Sequence, residues 1–137
     1  MSNIKKIGLT GSVTYENKIK IKEFIFNLTQ RYGSNFQIIS LGDRQGADKH
    51  IKKYALELGC AYGEMNPPHT NKNLYSLLNE GFYSKPFSPK YISIRDKIYA
   101  STIDIAVIFN NNPTMEIKIK NIVNSLNKAN KKTVVIE

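Results

Sequence analysis

Apolar positions along the chain recur with two alternating periods. Residues 4–9, Ile-Lys-Lys-Ile-Gly-Leu, read as a strand that Thr10-Gly11-Ser12 breaks. From about 16 to 31, Ile21, Phe24, Ile25 and Leu28 fall at i, i+3, i+4 and i+7, one face of a helix. Lys18, Lys20 and Lys22 lie largely elsewhere on it, as a solvated face does. Residues 36–41 read as a second strand. The turn Gly42–Asp48 then leads into a helix in which Ile51, Tyr54, Ala55 and Leu58 repeat the spacing, and which stops at Gly59. Cys60 to Met65 gives a short third strand. Residues 66–90 carry four of the five prolines, with a short helix around Leu74 to Phe82 inside them. A helix from about 92 to 102 follows, then Ile103 to Phe109, an apolar run of buried-strand type. Residues 114–129 place Ile119, Ile122, Val123 and Leu126 on one face, and Thr133 to Ile136 is a last strand.

Strands that alternate with helices predict a parallel sheet covered on both sides: a single Rossmann-like three-layer α/β/α sandwich, mainly parallel, over residues 1–137. Right-handed crossovers leave few topologies. Ligands in such sheets bind outside the carboxyl ends of the strands, near the topological switch point. Position alone therefore selects the loops 10–16, 42–48, 65–72 and 110–116.

Composition narrows the partners. With 41% hydrophobic and 23% charged residues the chain is ordinary globular, which excludes a disordered chain, a collagen-like one and a coiled coil. Apolar runs such as Ile105 to Phe109 are too short to span a bilayer, and no apolar stretch of leader length follows Met1, so a cytoplasmic protein without membrane partners is expected. The net charge of +9 suggests a polyanion. Yet Lys, Ile and Asn, all with AT-rich codons, make up 50 of the 137 residues, and only 3 of the 20 basic residues are Arg. Arginine is the residue of shaped phosphate recognition, so Arg31, Arg44 and Arg95 carry more information than the lysines. The lone Cys60 reads as a small apolar residue at a strand start. His50 and His69 lack companions at ligand spacing, so neither a metal site nor a cofactor is expected.

Four elements carry candidate chemistry. In Gly8-Leu-Thr-Gly11-Ser12 glycine lets backbone amides approach a ligand, and Ser12 or Thr14 can donate to it; the bland alternative is a tight turn. In Gly42-Asp43-Arg44-Gln45-Gly46-Ala47-Asp48, small Gly46 and Ala47 leave room for a phosphate above the helix start, and Arg44 can clamp it. Asp48 either joins that site or stabilises the first helical turn. Arg95 lies nine residues before Asp104, and His69 stands beyond Pro67-Pro68 near the third loop.

The run Gly42-Asp-Arg-Gln-Gly-Ala-Asp48, followed by Tyr54-Ala55 and Gly59, resembles the Gly-Gly-x-x-Gly-Ala-Asp helix signature of the SLOG superfamily. That superfamily contains the Lonely-Guy-type phosphoribohydrolases, the DprA-type DNA-processing proteins and small YspA-like members, which this chain resembles most. The opening Gly8-x-Thr-Gly-Ser12 is similar to their first strand and loop. The Arg95–Asp104 interval matches the family arginine and the strand start after it. After the fourth strand, however, Lonely-Guy enzymes carry Pro-Gly-Gly-x-Gly-Thr-x-x-Glu, and here stands Asn110-Asn-Asn-Pro-Thr114-Met-Glu116-Ile117. Thr114 fits the family threonine, but the glutamate position falls on Ile117, with Glu116 about 100° away round a helix.

The resemblance implies binding of a nucleotide or nucleotide-derived molecule through Gly11, Ser12, Gly42, Asp43, Arg44, Gly46, Ala47, Asp48, Arg95 and Thr114. Arg95 pairs with phosphate in this reading. N-glycosidic chemistry would fall to Arg95 and Glu116. The alternatives are a DprA-like DNA-binding module, with weak nonspecific nucleic-acid binding as its generic form, and a structural protein with a degenerate pocket. A homodimer or larger assembly is expected to use part of 74–103, where Phe82, Tyr83, Phe87 and Tyr91 cluster.

Overall fold

Five strands pair in the order β3-β2-β1-β4-β5, all parallel, in a computed structural model that describes residues 4–137. The leader reading rests partly on residues 1–3, which lie outside the described residues. The strands are β1 (Lys5–Gly11), β2 (Phe36–Ser40), β3 (Ala61–Glu64), β4 (Ile105–Phe109) and β5 (Lys132–Ile136). The helices are α1 (Lys18–Tyr32), α2 (Ala47–Glu57), α3 (Pro89–Thr102) and α4 (Ile117–Lys128). The chain winds from β1 out to β3, then returns to β4 on the other side of β1. The switch point thus lies between β1 and β4, as in other doubly wound sheets.

Strand periodicity divides the core. Ile7, Leu9, Ile38, Val107 and Phe109 face α1 and α2, where they meet Ile21, Ile25 and Ile51. Ile39, Leu41, Ala106 and Ile108 face α3 and α4, where they meet Tyr99, Ile103, Ile119 and Ile122. The three-layer sandwich expected from the sequence is therefore present. Among the described residues no helix is long and apolar enough to cross a membrane.

Three local expectations change. First, β1 does not break at Thr10-Gly11; Thr10 and Gly11 pair with Ile108 and Phe109. A Cβ at Gly11 would stand 2.3 Å from the Phe109 carbonyl oxygen and 2.7 Å from the Ala47 methyl. The glycine serves close backbone approach inside the sheet. Second, residues 74–82 hold no α-helix, only a single turn of 3-10 helix at Glu80–Phe82. Residues 75–77 instead run along β3: Glu64 N–H donates to the Tyr75 carbonyl at 2.9 Å, and Leu77 N–H to the Glu64 carbonyl at 2.9 Å. That pairs the edge of β3 at its last residue, Glu64. Third, α3 starts at Pro89, whose missing N–H costs nothing in a first turn, and Ser88 Oγ accepts the Lys90 N–H.

The aromatic cluster proposed for self-association is partly used inside the chain. Tyr83 is buried in the α3–α4 half of the core and Phe82 packs against it. Phe87 remains 68% exposed.

Candidate functional site

The first two candidate loops are packed onto one another. Ser12 N–H donates to the Phe109 carbonyl at 2.9 Å, which prolongs the sheet by one bond. The Ser12 carbonyl accepts from Ala47 N–H at 3.0 Å and from Tyr15 N–H at 3.2 Å. Gly46, with φ of 69°, lies so close beneath that a Cβ would meet the Ser12 oxygen at 2.3 Å and Val13 Cα at 2.5 Å. The room expected above Gly46 and Ala47 for a phosphate is thus filled by the backbone of Ser12–Val13. This corrects the sequence reading, in which small residues at a helix start meant open space. Here they mean close contact.

Glu116 also turns onto the first loop. Its carboxylate accepts from Ser12 Oγ and from Val13 N–H. Ile117, at the family's carboxylate position, is 76% exposed. Thr114 is exposed, and its amide donates to Asn112 Oδ1 at 3.0 Å.

Asp48 is buried between β1 and α4. Thr10 Oγ1 donates to one carboxylate oxygen at 2.8 Å; Asp43 N–H, at 3.2 Å, and Lys118 Nζ, at 2.8 Å, donate to the other. Lys118 Nζ also reaches the Gly11 carbonyl at 2.7 Å and the Asp43 carboxylate. Its three N–H donors are therefore all occupied. Burial pushes the Asp48 carboxyl above its ordinary range, against the pull of Lys118. Burial works to lower Lys118, yet Asp48 and Asp43 outweigh it and hold the ammonium above its ordinary value. Asp48 is thus a tertiary anchor as well as a member of the first helical turn.

Arg95 is only 4% exposed. Its Nε donates to Asp96 at 3.0 Å, and its Nη1 donates to the carbonyls of Met65 at 3.0 Å and Leu41 at 3.3 Å. It therefore ties α3 to the ends of β2 and β3. Burial raises the Asp96 carboxyl and Arg95 opposes that rise. Asp104 lies at the other end of the sheet, where its carboxylate accepts the Lys6 N–H at 2.7 Å.

Two cavities open at the carboxyl ends of the strands. The larger, about 690 Å³, lies between α3 and α4. Val13, Pro67, Phe87, Ile92 and Ile117 give it apolar walls; Ser93, Arg95, Lys97, Lys118 and Asn121 bring polar groups to them. His69 and Phe87 form an edge-to-face ring pair in its wall, with centroids 5.1 Å apart. The smaller cavity, about 260 Å³, lies beside α2 and holds Gly42, Arg44, Lys49 and Lys52 opposite Glu64 and Asn66. Asp43 lines both. In the smaller one, Glu64 is 2% exposed. It accepts from Tyr62 Oη at 2.9 Å and Asn73 Nδ2 at 2.9 Å, and pairs with Lys52 at 3.2 Å. Burial, then Glu64, pushes the Tyr62 phenol far above its ordinary range.

Of the sequence candidates, Asp43, His69 and Arg95 line the larger cavity, and Gly42, Asp43 and Arg44 the smaller. Gly11, Ser12, Gly46, Ala47, Asp48 and Glu116 form the packed wedge behind them and line neither. Lys118, Glu64, Tyr62 and Phe87 were not among the candidates. For Glu64 a signal existed, since it closes a strand at the ligand-binding edge of the sheet.

These features define a Rossmann-like α/β domain with an open cleft near its switch point. No protein-family model matches the chain, and no curated protein sequence matches it. Solved structures do. The molybdenum cofactor binding protein of the phototrophic bacterium Rippkaea orientalis superposes with a TM-score of 0.69 at 14% identity, over 98% of this chain and 77% of that one. The molybdenum cofactor carrier protein of Chlamydomonas reinhardtii gives 0.63 at 18% identity, over 97% of this chain and 76% of that one. A second structure of the Chlamydomonas carrier gives 0.64 at 18% identity. At such identities the likeness is one of fold.

Proposed function

We propose that this chain is a SLOG-like domain that binds a nucleotide or nucleotide-derived small molecule with a planar ring in the α3–α4 cleft, and holds it rather than cleaving it. The observation that carries the reading is the cleft itself. Its 690 Å³ falls within the roughly 300–1,000 Å³ of small-molecule sites, with mostly apolar walls and a few convergent polar groups. Phe87 offers a heterocycle a ring to stack on. The structures similar in fold are named as binding or carrying molybdenum cofactor, so that cofactor belongs in one ligand panel with nucleotides.

Turnover is disfavoured by where Glu116 points. Its carboxylate is engaged by Ser12 and Val13 and lines neither cavity. We expect slow or no release of ribose 5-phosphate from nucleoside monophosphates. Mass spectrometry of small molecules released from the purified protein would name the ligand. Phe87→Ala should then weaken it by roughly 5- to 150-fold, since ring stacking on an aromatic side chain is worth about 1–3 kcal/mol. Unchanged affinity in Phe87→Ala would remove the cleft from consideration.

The DNA-binding alternative is favoured only by net charge, and the lysines are dispersed. Lys18, Lys20, Lys49 and Lys53 lie on the α1–α2 side, Lys90, Lys97, Lys120 and Lys128 on the α3–α4 side. Binding to duplex DNA should have dissociation constants of roughly 10⁻⁶ M or weaker near physiological salt, with no sequence preference. Fluorescence anisotropy showing tight binding that survives added salt would reverse this ranking.

A further inference from the structure

We propose that the smaller, polar cavity beside α2 is an anion subsite for a phosphate or pyrophosphate group, the charged end of a ligand whose ring lies in the α3–α4 cleft. The inference rests on the cleft reading and adds the place where charge is recognised. At about 260 Å³ the cavity falls below the range of whole-ligand pockets, so it accommodates a fragment. It also adjoins the cleft. Asp43 lines both, and one loop walls both: Pro67 and His69 line the cleft, Asn66, Thr70 and Asn71 the polar cavity.

The charge balance selects an anion. Three cations, Arg44, Lys49 and Lys52, line the cavity against two carboxylates. Both carboxylates are already engaged. Glu64 receives Tyr62, Asn73 and Lys52, and Asp43 is paired with Lys118. Arg44 and Lys49 form no ion pair among the described residues. Two uncommitted cations suit a phosphate group, which carries about −1.5 to −2 at neutral pH, and a guanidinium grips such a group with two parallel bonds. The polar wall is fixed in advance. Asn66 donates to Thr70 Oγ1 and the Asn71 carbonyl, each at 2.9 Å, and accepts from Ser76 Oγ at 2.7 Å. Arg95, with three bonds inside the protein, is far less free to play this part. Phosphate recognition thus moves from Arg95 to Arg44.

The test is a titration of the full chain with inorganic pyrophosphate, followed by backbone amide NMR shifts. Saturable shifts at Gly42, Arg44 and Asn71 are expected, and Arg44→Gln should weaken them roughly tenfold or more, the loss of one charge-assisted bond. Arg44 is exposed on a loop, so an unchanged unfolding midpoint will show that the variant is folded. Phe87→Ala should leave pyrophosphate binding unaltered. Failure of the cleft reading would therefore show in ring-ligand binding alone. Shifts centred on Ser93 and Lys97 would overturn the proposal. So would diffuse shifts over the lysines that Arg44→Gln does not change.

Discussion

Arg95→Ala is expected to cost the fold about 3–5 kcal/mol, the usual penalty for breaking a buried ion pair from one side. The substitution leaves Asp96 buried with no partner for its carboxylate, and strips the carbonyls of Leu41 and Met65 of their side-chain donor. Against a total stability of about 5–15 kcal/mol for a domain, that leaves a marginal protein. Any loss of ligand would then follow from displaced ends of β2 and β3. Arg95→Lys should retain the charge beside Asp96 but not all three bonds, and so should fall between alanine and wild type. Urea unfolding will decide; a loss below about 1 kcal/mol in Arg95→Ala would mean that these bonds are replaced by water at little cost.

Lys118→Met should be comparably destabilising near neutral pH, by about 3–5 kcal/mol, because it leaves Asp48 and Asp43 facing one another without a cation. The loss should shrink toward acid. Burial already raises Asp48, and removing Lys118 takes away the main force holding it down. A carboxyl raised in the folded state binds its proton more tightly there than in the unfolded chain. It therefore favours folding at low pH, and that contribution disappears as pH rises through its folded value. The deficit relative to wild type should be smaller at about pH 5 than at about pH 8. In the wild type the sign concerns Lys118 itself. Its value is raised above the ordinary 10.5, so its contribution is whole below 10.5 and is lost as pH climbs through the folded value. Asp48→Asn combined with Lys118→Met should recover part of the neutral-pH loss. Strict additivity of the two substitutions would contradict the coupling.

The layers were legible because burial imposes periods. Ile21, Phe24, Ile25 and Leu28 could face only one way on a helix, and most of the run Ile103 to Phe109 is the buried strand β4, Ile105–Phe109. What the sequence left hidden was contact between distant segments. Gly11 and Gly46 read as turn glycines, since nothing local reveals that Phe109 and Ser12–Val13 press on them. Lys118 looks like Lys120, two positions on, yet one is locked in a buried network and the other is exposed. Leu74 and Leu77 gave 74–82 a helical look, but Leu74 is 89% exposed, and residues 75–77 bond to Glu64 of β3 before the single 3-10 turn at Glu80–Phe82. The sequence points to Arg95 as a phosphate partner, because an arginine on a helix gives no local sign of carbonyls brought to it from residues 41 and 65.

The wedge formed by the loops after β1 and β2 bears on how this protein meets any ligand. Here the bond from Ala47 to Ser12, the close fit of Gly46 and the grip of Lys118 on Gly11, Asp43 and Asp48 fuse them into one rigid jaw. Ordering backbone costs roughly 1–2 kcal/mol per residue, and for this jaw the cost falls on folding and is not subtracted from affinity. The opposite wall, from Asn66 to Ser88, holds only one turn of 3-10 helix and is fixed instead by side-chain bonds such as those of Asn66 to Thr70, Asn71 and Ser76. The two residues of this network that line the α3–α4 cleft, Asp43 and Lys118, therefore hold fixed positions on its wall.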